Sequence, residues 1–436
     1  MDLIYRETLP NGLRIVGERM ENYRSVSVGC WVKAGSVYEN TVSGGESGVS
    51  HFIEHMLFKG TERRDAGMIA EEIDAIGGNL NAFTSKECTC FYVKVIDENL
   101  PAAVDLLADL VCNSKLDEDD IGREKGVVIE EIAMNEDSPE DLVHESLCSL
   151  YNAGTPLARP VLGTEESVGA FRREMLRGYM ARRYRPENMV LAAAGNFDPA
   201  AFRDAVESAF CFGNILSGGA GTAEDADPAG PGEGAAERFR FIEKDVEQVH
   251  IALGFPGFAR EEKGQYPLYM LNNAVGGCMS SRLFQSIRER NGMAYSVYSA
   301  PTFFTDSGYF TVYAGSGEKQ AVQVLELMLR EYRKVKDEGI TAEEIGRSKR
   351  QMRTSFLLGR ESTSAHSSDL GRSELFGTRF LTDEEILARI DGVTQEDVAA
   401  ILPRVCDFSA MKAVCVGRVG KIAKKMKEIL AEQGRN

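Results

Sequence analysis

Asp117–Lys125 (DEDDIGREK) returns as Thr341–Lys349 (TAEEIGRSK) at a shift of 224 residues, with Ile, Gly, Arg and Lys in register and two acidic positions kept. Acidic residues followed by basic ones suit the dipole of any helix start, so the match alone is weak. Its place strengthens it, because in both halves it follows a strand-like run and a long helical pattern, Leu100–Asn113 and Glu318–Lys336. Duplication is the better reading, and it forces two cores. A chain of 436 residues exceeds the roughly 250–300 that one core supports. Between the copies lies Ser217–Glu237 (SGGAGTAEDADPAGPGEGAAE), rich in Gly, Ala, Pro and acidic residues and lacking apolar periodicity. Such a segment cannot bury enough surface to order itself. The expected organisation is therefore domain 1–216, linker 217–237 and domain 238–436.

Strand-like alternation opens each half, in Ser25–Val32 and again in Gln248–Phe255, and the strands of the first half are placed at Gly12–Arg19, Ser25–Val32, Thr89–Val95 and Met189–Gly195. Their counterparts are Arg238–Ile242, His250–Phe255, Tyr309–Ala314 and Met411–Val416. Strands mixed with amphipathic helices define an α+β fold of two homologous α/β rolls, each a mostly antiparallel sheet with helices packed on one face.

A formal charge of −17 argues against nucleic acid or an anionic membrane as partner. Simple solubility accounts for the charge, and a cleft sharing it would favour cationic peptides. Only Lys421–Lys427 is locally basic, as a solvated helix face can be. The first residues lack a basic stretch leading into an apolar one, so no secretory signal is expected. The longest apolar run, Met189–Ala194, is far short of the roughly 18 residues a membrane span needs. Nine cysteines without a Cys-x-x-Cys pair read as reduced thiols, which points to a cytoplasmic location.

Chemistry concentrates in Gly48–Gly60 (GVSHFIEHMLFKG). On a helix His51 and His55 stand one turn apart with Glu54 between them, while Phe52, Ile53, Met56 and Leu57 form the back. Two neutral imidazoles at this spacing suit tetrahedral zinc, which in catalytic sites keeps a position for water. Glu54 would be the general base that takes the water's proton and delivers it to the leaving amine. The order His-x-x-Glu-His is the inverzincin signature. Chance placement of five histidines rarely produces it. A third protein ligand is needed, and chemistry leaves Glu124, Glu130, Glu131, Glu140 and His144 open. Glu124 and Glu131, seven apart, share a helix face, and Glu130 points about 100° away.

These residues resemble the insulinase or pitrilysin-type metallopeptidases of family M16, above all short bacterial members similar to the mitochondrial processing peptidase β subunit. The resemblance covers Thr8–Val16, Gly48–Thr61, Gly77–Tyr92, Glu124–Asp137 and Ser280–Ser299. It implies Glu131 as third zinc ligand and Glu124 as a residue important for activity, orienting a histidine ligand. It further implies an extended peptide pairing with a sheet edge at Asn81, Ala82, Phe83 and Thr84, and Arg288 and Tyr295 gripping the substrate from the second half. That half has no His-x-x-Glu-His, and Ser355 stands where Glu131 stands in the first, so it is a degenerate repeat. Larger relatives join four such units; this chain has two, which implies a homodimer. One departure is Thr155-Pro156-Leu157-Ala158-Arg159 where many relatives carry His-Pro-Leu-Gly-Arg. The functional expectation is a zinc endopeptidase. The alternatives are a non-catalytic assembly subunit or a peptide-binding protein of the same fold.

Overall fold

The computed structural model describes residues 4–40, 45–216 and 237–433; residues 217–236 of the expected linker lie outside them. In chain order the strands are β1 (Ile4–Thr8), β2 (Arg14–Arg19), β3 (Ser25–Val32), β4 (Asn79–Thr84), β5 (Thr89–Ile96), β6 (Met189–Gly195), β7 (Phe239–Glu243), β8 (Gln248–Pro256), β9 (Ala294–Phe303), β10 (Gly308–Gly317) and β11 (Lys412–Gly417). The helices that bear on function are α1 (Val49–Leu57), α2 (Leu100–Asn113), α3 (Glu118–Asp137), α4 (Pro139–Tyr151), α5 (Pro199–Ala209), α6 (Glu318–Glu338), α7 (Ala342–Gly359) and α8 (Thr363–Phe376).

The first sheet has the order β1-β2-β6-β3-β5-β4 and the second β7-β11-β8-β10-β9. In each, one parallel pair, β2 with β6 and β7 with β11, adjoins a run of antiparallel neighbours. The second order thus repeats the first without β1, and the echoed sequences open α3 and α7. This is the mostly antiparallel, duplicated α+β fold that the sequence implies.

Strand parity divides the first core. Val26, Val28, Cys30 and Val32 of β3 pack with Phe52, Ile53 and Met56 of α1 and Val104 and Leu107 of α2. The alternate residue Trp31 joins Val190 and Ala192 of β6 and Leu370 and Leu375 of α8 in a separate cluster on the other face. Helices therefore cover both faces, not one. In the second unit Val143, Leu147 and Leu150 of α4 pack against Ala252, Tyr313, Val414 and Val416. The physical reason is visible in β6, whose seven residues are all buried. A strand apolar at both parities needs cover on both sides.

These covering helices come from the opposite halves of the sequence. By packing, one unit comprises the residues up to Ala133, the stretch beginning at Arg159, and Leu358–Phe380; the other contains Met134–Ala158 and most of the second half. The packing units thus differ from the sequence division at 217–237 by two exchanged segments.

The exchange is secured at Gly371 on α8. A Cβ there would lie 2.1 Å from Nε1 of Trp31, the chain's single tryptophan, itself 1% exposed. Gly371→Val should therefore cost at least about 2–3 kcal/mol through overpacking. Urea unfolding followed by Trp31 fluorescence checks this, and an unchanged midpoint would contradict the packing described.

Candidate metal centre

Helix α1 begins where it does because Gly48 adopts a φ of 85°, a conformation costly for residues with a Cβ. A Cβ there would also come within 2.5 Å of the Leu162 carbonyl oxygen. The helix start is satisfied from a distance: the buried Glu39 carboxylate accepts from the N–H groups of Gly48 at 2.8 Å and Ser50 at 3.1 Å. Burial raises the Glu39 pKa to about 7, against the opposing pull of those two hydrogen bonds.

A folded value above the unfolded one means stability that is present below about pH 4.5 and is lost as pH rises through about 7. Compared with Glu39→Gln, which cannot ionise, the wild-type chain should lose roughly 3 kcal/mol of relative stability between pH 4.5 and 8. Urea midpoints of both proteins under chelation at the two pH values measure it. A pH-independent difference would contradict the assignment.

The back of α1 is sealed into the core through Phe52, Ile53, Met56 and Leu57. His51, Glu54 and His55 occupy the opposite side with α3 beyond them. Nε2 of His51 lies 3.6 Å and Nε2 of His55 3.5 Å from the same oxygen, Oε2 of Glu131. These three side chains are the one group of potential metal ligands found among the described residues, with donor atoms within 4.8 Å of one another. Donors at 2.0–2.2 Å from a tetrahedral ion stand about 3.3–3.6 Å apart, so both measured separations match an edge of such a tetrahedron. Two imidazole nitrogens and a carboxylate oxygen are a donor set suited to zinc. The residues fit the metal that the sequence implies.

Glu124, one face-repeat before Glu131 and 4% exposed, has Oε1 3.0 Å from Nδ1 of His55. Its other oxygen lies 2.7 Å from Nζ of Lys59. With Nδ1–H donated to this carboxylate, His55 is held in the tautomer whose Nε2 lone pair faces Glu131. Nδ1 of His51 is buried and has no partner among the described residues. Glu54 takes no part in the ligand group. Its Oε2 accepts a 2.6 Å hydrogen bond from the Thr84 hydroxyl.

Electrostatics distinguishes the members. Burial, then the neighbouring His55, pulls the His51 pKa down to about 4, which favours the neutral, ligating imidazole. The His55 value is raised, first by Glu131, and the Glu131 value is lowered, first by His55. Burial raises the Glu54 pKa while Thr84 opposes the rise. A carboxylate made more basic in this way is suited to accept a proton.

The other sequence candidates lie elsewhere. Glu130 is exposed. In the second unit, Nε2 of His144 lies 2.7 Å from the Tyr298 hydroxyl, which donates to Glu140 at 3.1 Å. Asn81, Ala82 and Phe83 are on β4, an edge strand of the first sheet, where Oδ1 of Asn81 accepts from the Ala82 N–H. Arg288 and Tyr295 adjoin one another in the second unit. The Arg288 guanidinium lies 4.6 Å from the Tyr295 ring centre and donates to that residue's carbonyl at 2.9 Å. Tyr295 as a whole is 77% exposed. Arg159, from the departing Thr-Pro-Leu-Ala-Arg run, donates to the Val37 carbonyl at 3.1 Å.

Sequence reasoning missed Glu39, Lys59 and the hydroxyl of Thr84 as site neighbours. Lys59 carries a usable signal, standing four residues after His55. Thr84 shares strand parity with Ala82 and Leu80, which pack on the α1 side. Glu39 gives no local signal.

Comparison with known proteins agrees with this geometry. Residues 14–165 match the family profile described as Insulinase (Peptidase family M16), and residues 170–352 match Peptidase M16 inactive domain. An uncharacterized zinc protease of Streptomyces coelicolor is 41% identical over 91% of this chain and 86% of its own length. The Bacillus subtilis zinc protease YmxG is 42% identical over 91% of this chain and 94% of its own. Among solved structures, a peptidase M16 inactive domain from Pseudomonas fluorescens superposes with a TM-score of 0.84 at 20% identity, covering 95% of this chain and 97% of that one. A protease from Helicobacter pylori gives 0.82 at 21% identity, with 95% and 99% covered; at such identities these two speak to fold alone. Sequence matches along both halves leave one conclusion: the chain belongs to the insulinase family, peptidase family M16.

Proposed function

We propose that the chain is a zinc-dependent endopeptidase that hydrolyses extended peptides or unstructured protein segments. The observation that carries this reading is the convergence of both imidazole Nε2 atoms on Glu131 beside a carboxylate, Glu54, that stays outside the ligand group. His51, His55 and Glu131 would hold the ion, as the naming of relatives as zinc proteases also favours. When bound, zinc supplies Lewis acidity that brings the pKa of water towards neutrality and polarises a carbonyl. Glu54 takes the attacking water's proton and passes it to the departing amine nitrogen. Glu124 fixes the His55 ring.

The peptide lies along β4, whose outer edge faces no other strand of the sheet; main-chain pairing there gives affinity with little dependence on sequence. Cationic peptides are the favoured class because the chain carries −17. Arg288 and Tyr295 are proposed as further substrate contacts, supplied by a partner subunit in a homodimer. Light scattering showing a fully active monomer would remove that part.

A peptide-library digest with and without chelator tests the activity. Interior cleavage that stops on chelation and returns with zinc is expected. Cleavage indifferent to chelation would overturn the reading, and peptides bound but uncut would favour the peptide-binding alternative.

A further inference from the structure

Thr84 is the last residue of β4 and faces Thr89 across the β4–β5 pair. Its hydroxyl has one proton, and the acceptor 2.6 Å away is Oε2 of Glu54. An ionised carboxylate can only accept, so the direction of that bond is fixed. The Thr89 hydroxyl, fully buried, lies 3.2 Å from that of Thr84 and 3.1 Å from the Ala34 carbonyl, to which it donates. With the Thr84 proton on Glu54 and the Thr89 proton on Ala34, no proton is left to bridge the two hydroxyls, so Glu54 receives one donor from the sheet, on one carboxylate oxygen only.

We infer that Thr84 is the positioning residue of the base, tying down one oxygen of Glu54 so that the other is aimed at the attacking water. This rests on the reading of Glu54 as the base. The torsion that orients a glutamate carboxylate is broad and roughly twofold, so α1 alone does not fix the direction of its oxygens. A hydrogen bond from the sheet does. The bond touches neither His51, His55 nor Glu131, so its removal should affect turnover and spare the metal. A hydrogen bond to a charged group, when lost, corresponds to roughly a tenfold to hundredfold change in rate.

The test compares the full-length wild-type chain with Thr84→Val, Thr84→Ala, Thr84→Ser and Glu54→Gln, using one fluorogenic peptide and measuring kcat, KM and zinc content. Valine keeps the volume without the donor, and serine keeps the donor. Thr84→Val and Thr84→Ala should lower kcat by roughly tenfold to hundredfold with KM and zinc content unchanged, and Thr84→Ser should restore most of the rate. Should valine disrupt folding, alanine against serine decides. A kcat of Thr84→Val equal to wild type, a loss expressed in KM or zinc content, or a serine variant as slow as valine would overturn the inference. Full turnover in Glu54→Gln would overturn the base assignment itself and the inference with it. A slow Glu54→Gln beside an unimpaired Thr84→Val would overturn the inference alone.

Discussion

Glu54→Gln is expected to keep its zinc and to lose turnover by a factor of roughly 10²–10⁴, the usual contribution of a general base. The structure separates these two properties. Glu54 is outside the group formed by His51, His55 and Glu131, and its contact is with the Thr84 hydroxyl. Glutamine retains an oxygen to accept that hydrogen bond and nearly the same volume, so α1 should pack as before. What it lacks is the capacity to take a proton. Elemental analysis of the purified variant beside its kcat provides the check, and full turnover would remove Glu54 from the mechanism.

Glu131→Gln should fail in the opposite manner, by losing the metal. The carboxylate supplies the only anionic donor of the three, and both imidazole nitrogens converge on its Oε2. Replacing a partner that merely orients a ligand costs about 10–100-fold in metal affinity; replacing the ligand itself should exceed that. Glu124→Gln, which leaves the donors in place and loosens His55, should fall within the smaller range. Competition with a chromophoric chelator gives all three affinities. A normal affinity in Glu131→Gln would place the third ligand elsewhere.

What the sequence made legible follows the range of each interaction. The His51–Glu54–His55 arrangement spans barely one helical turn, so spacing alone revealed it. The shared face of Glu124 and Glu131 was equally readable from their seven-residue separation. Which of the two approaches both imidazoles depends on how α3 lies against α1, a tertiary matter on which residue chemistry is silent. Glu39 reaches the start of α1 from a loop without periodicity, and nothing local announces it.

The same reasoning applies to the fold. Strands buried on both faces, such as β3 and β6, were recognisable from their apolar content. Edge strands β1 and β4 bury little, and β9 shows no two-residue alternation, so their patterns are faint. The exchange of α8 was hidden because its buried face is unusually polar: Thr363, His366 and Ser367 lie beside Leu370, Gly371 and Leu375. Those polar groups are matched by the sheet they cover. Nδ1 of His366 lies 2.7 Å from Glu18, and Ser367 donates to the Ala192 carbonyl at 3.0 Å. A polar face satisfied by a particular partner reads in sequence as a solvated one.

The central claim is that one zinc ion sits between α1 and α3. Anomalous scattering across the zinc absorption edge, from crystals of the wild-type chain grown without added metal, tests it most directly. The account predicts a single strong peak per chain, about 2.0–2.2 Å from Nε2 of His51, Nε2 of His55 and a carboxylate oxygen of Glu131. A peak bound by other residues, or its absence from crystals of protein that cleaves peptides, would contradict it.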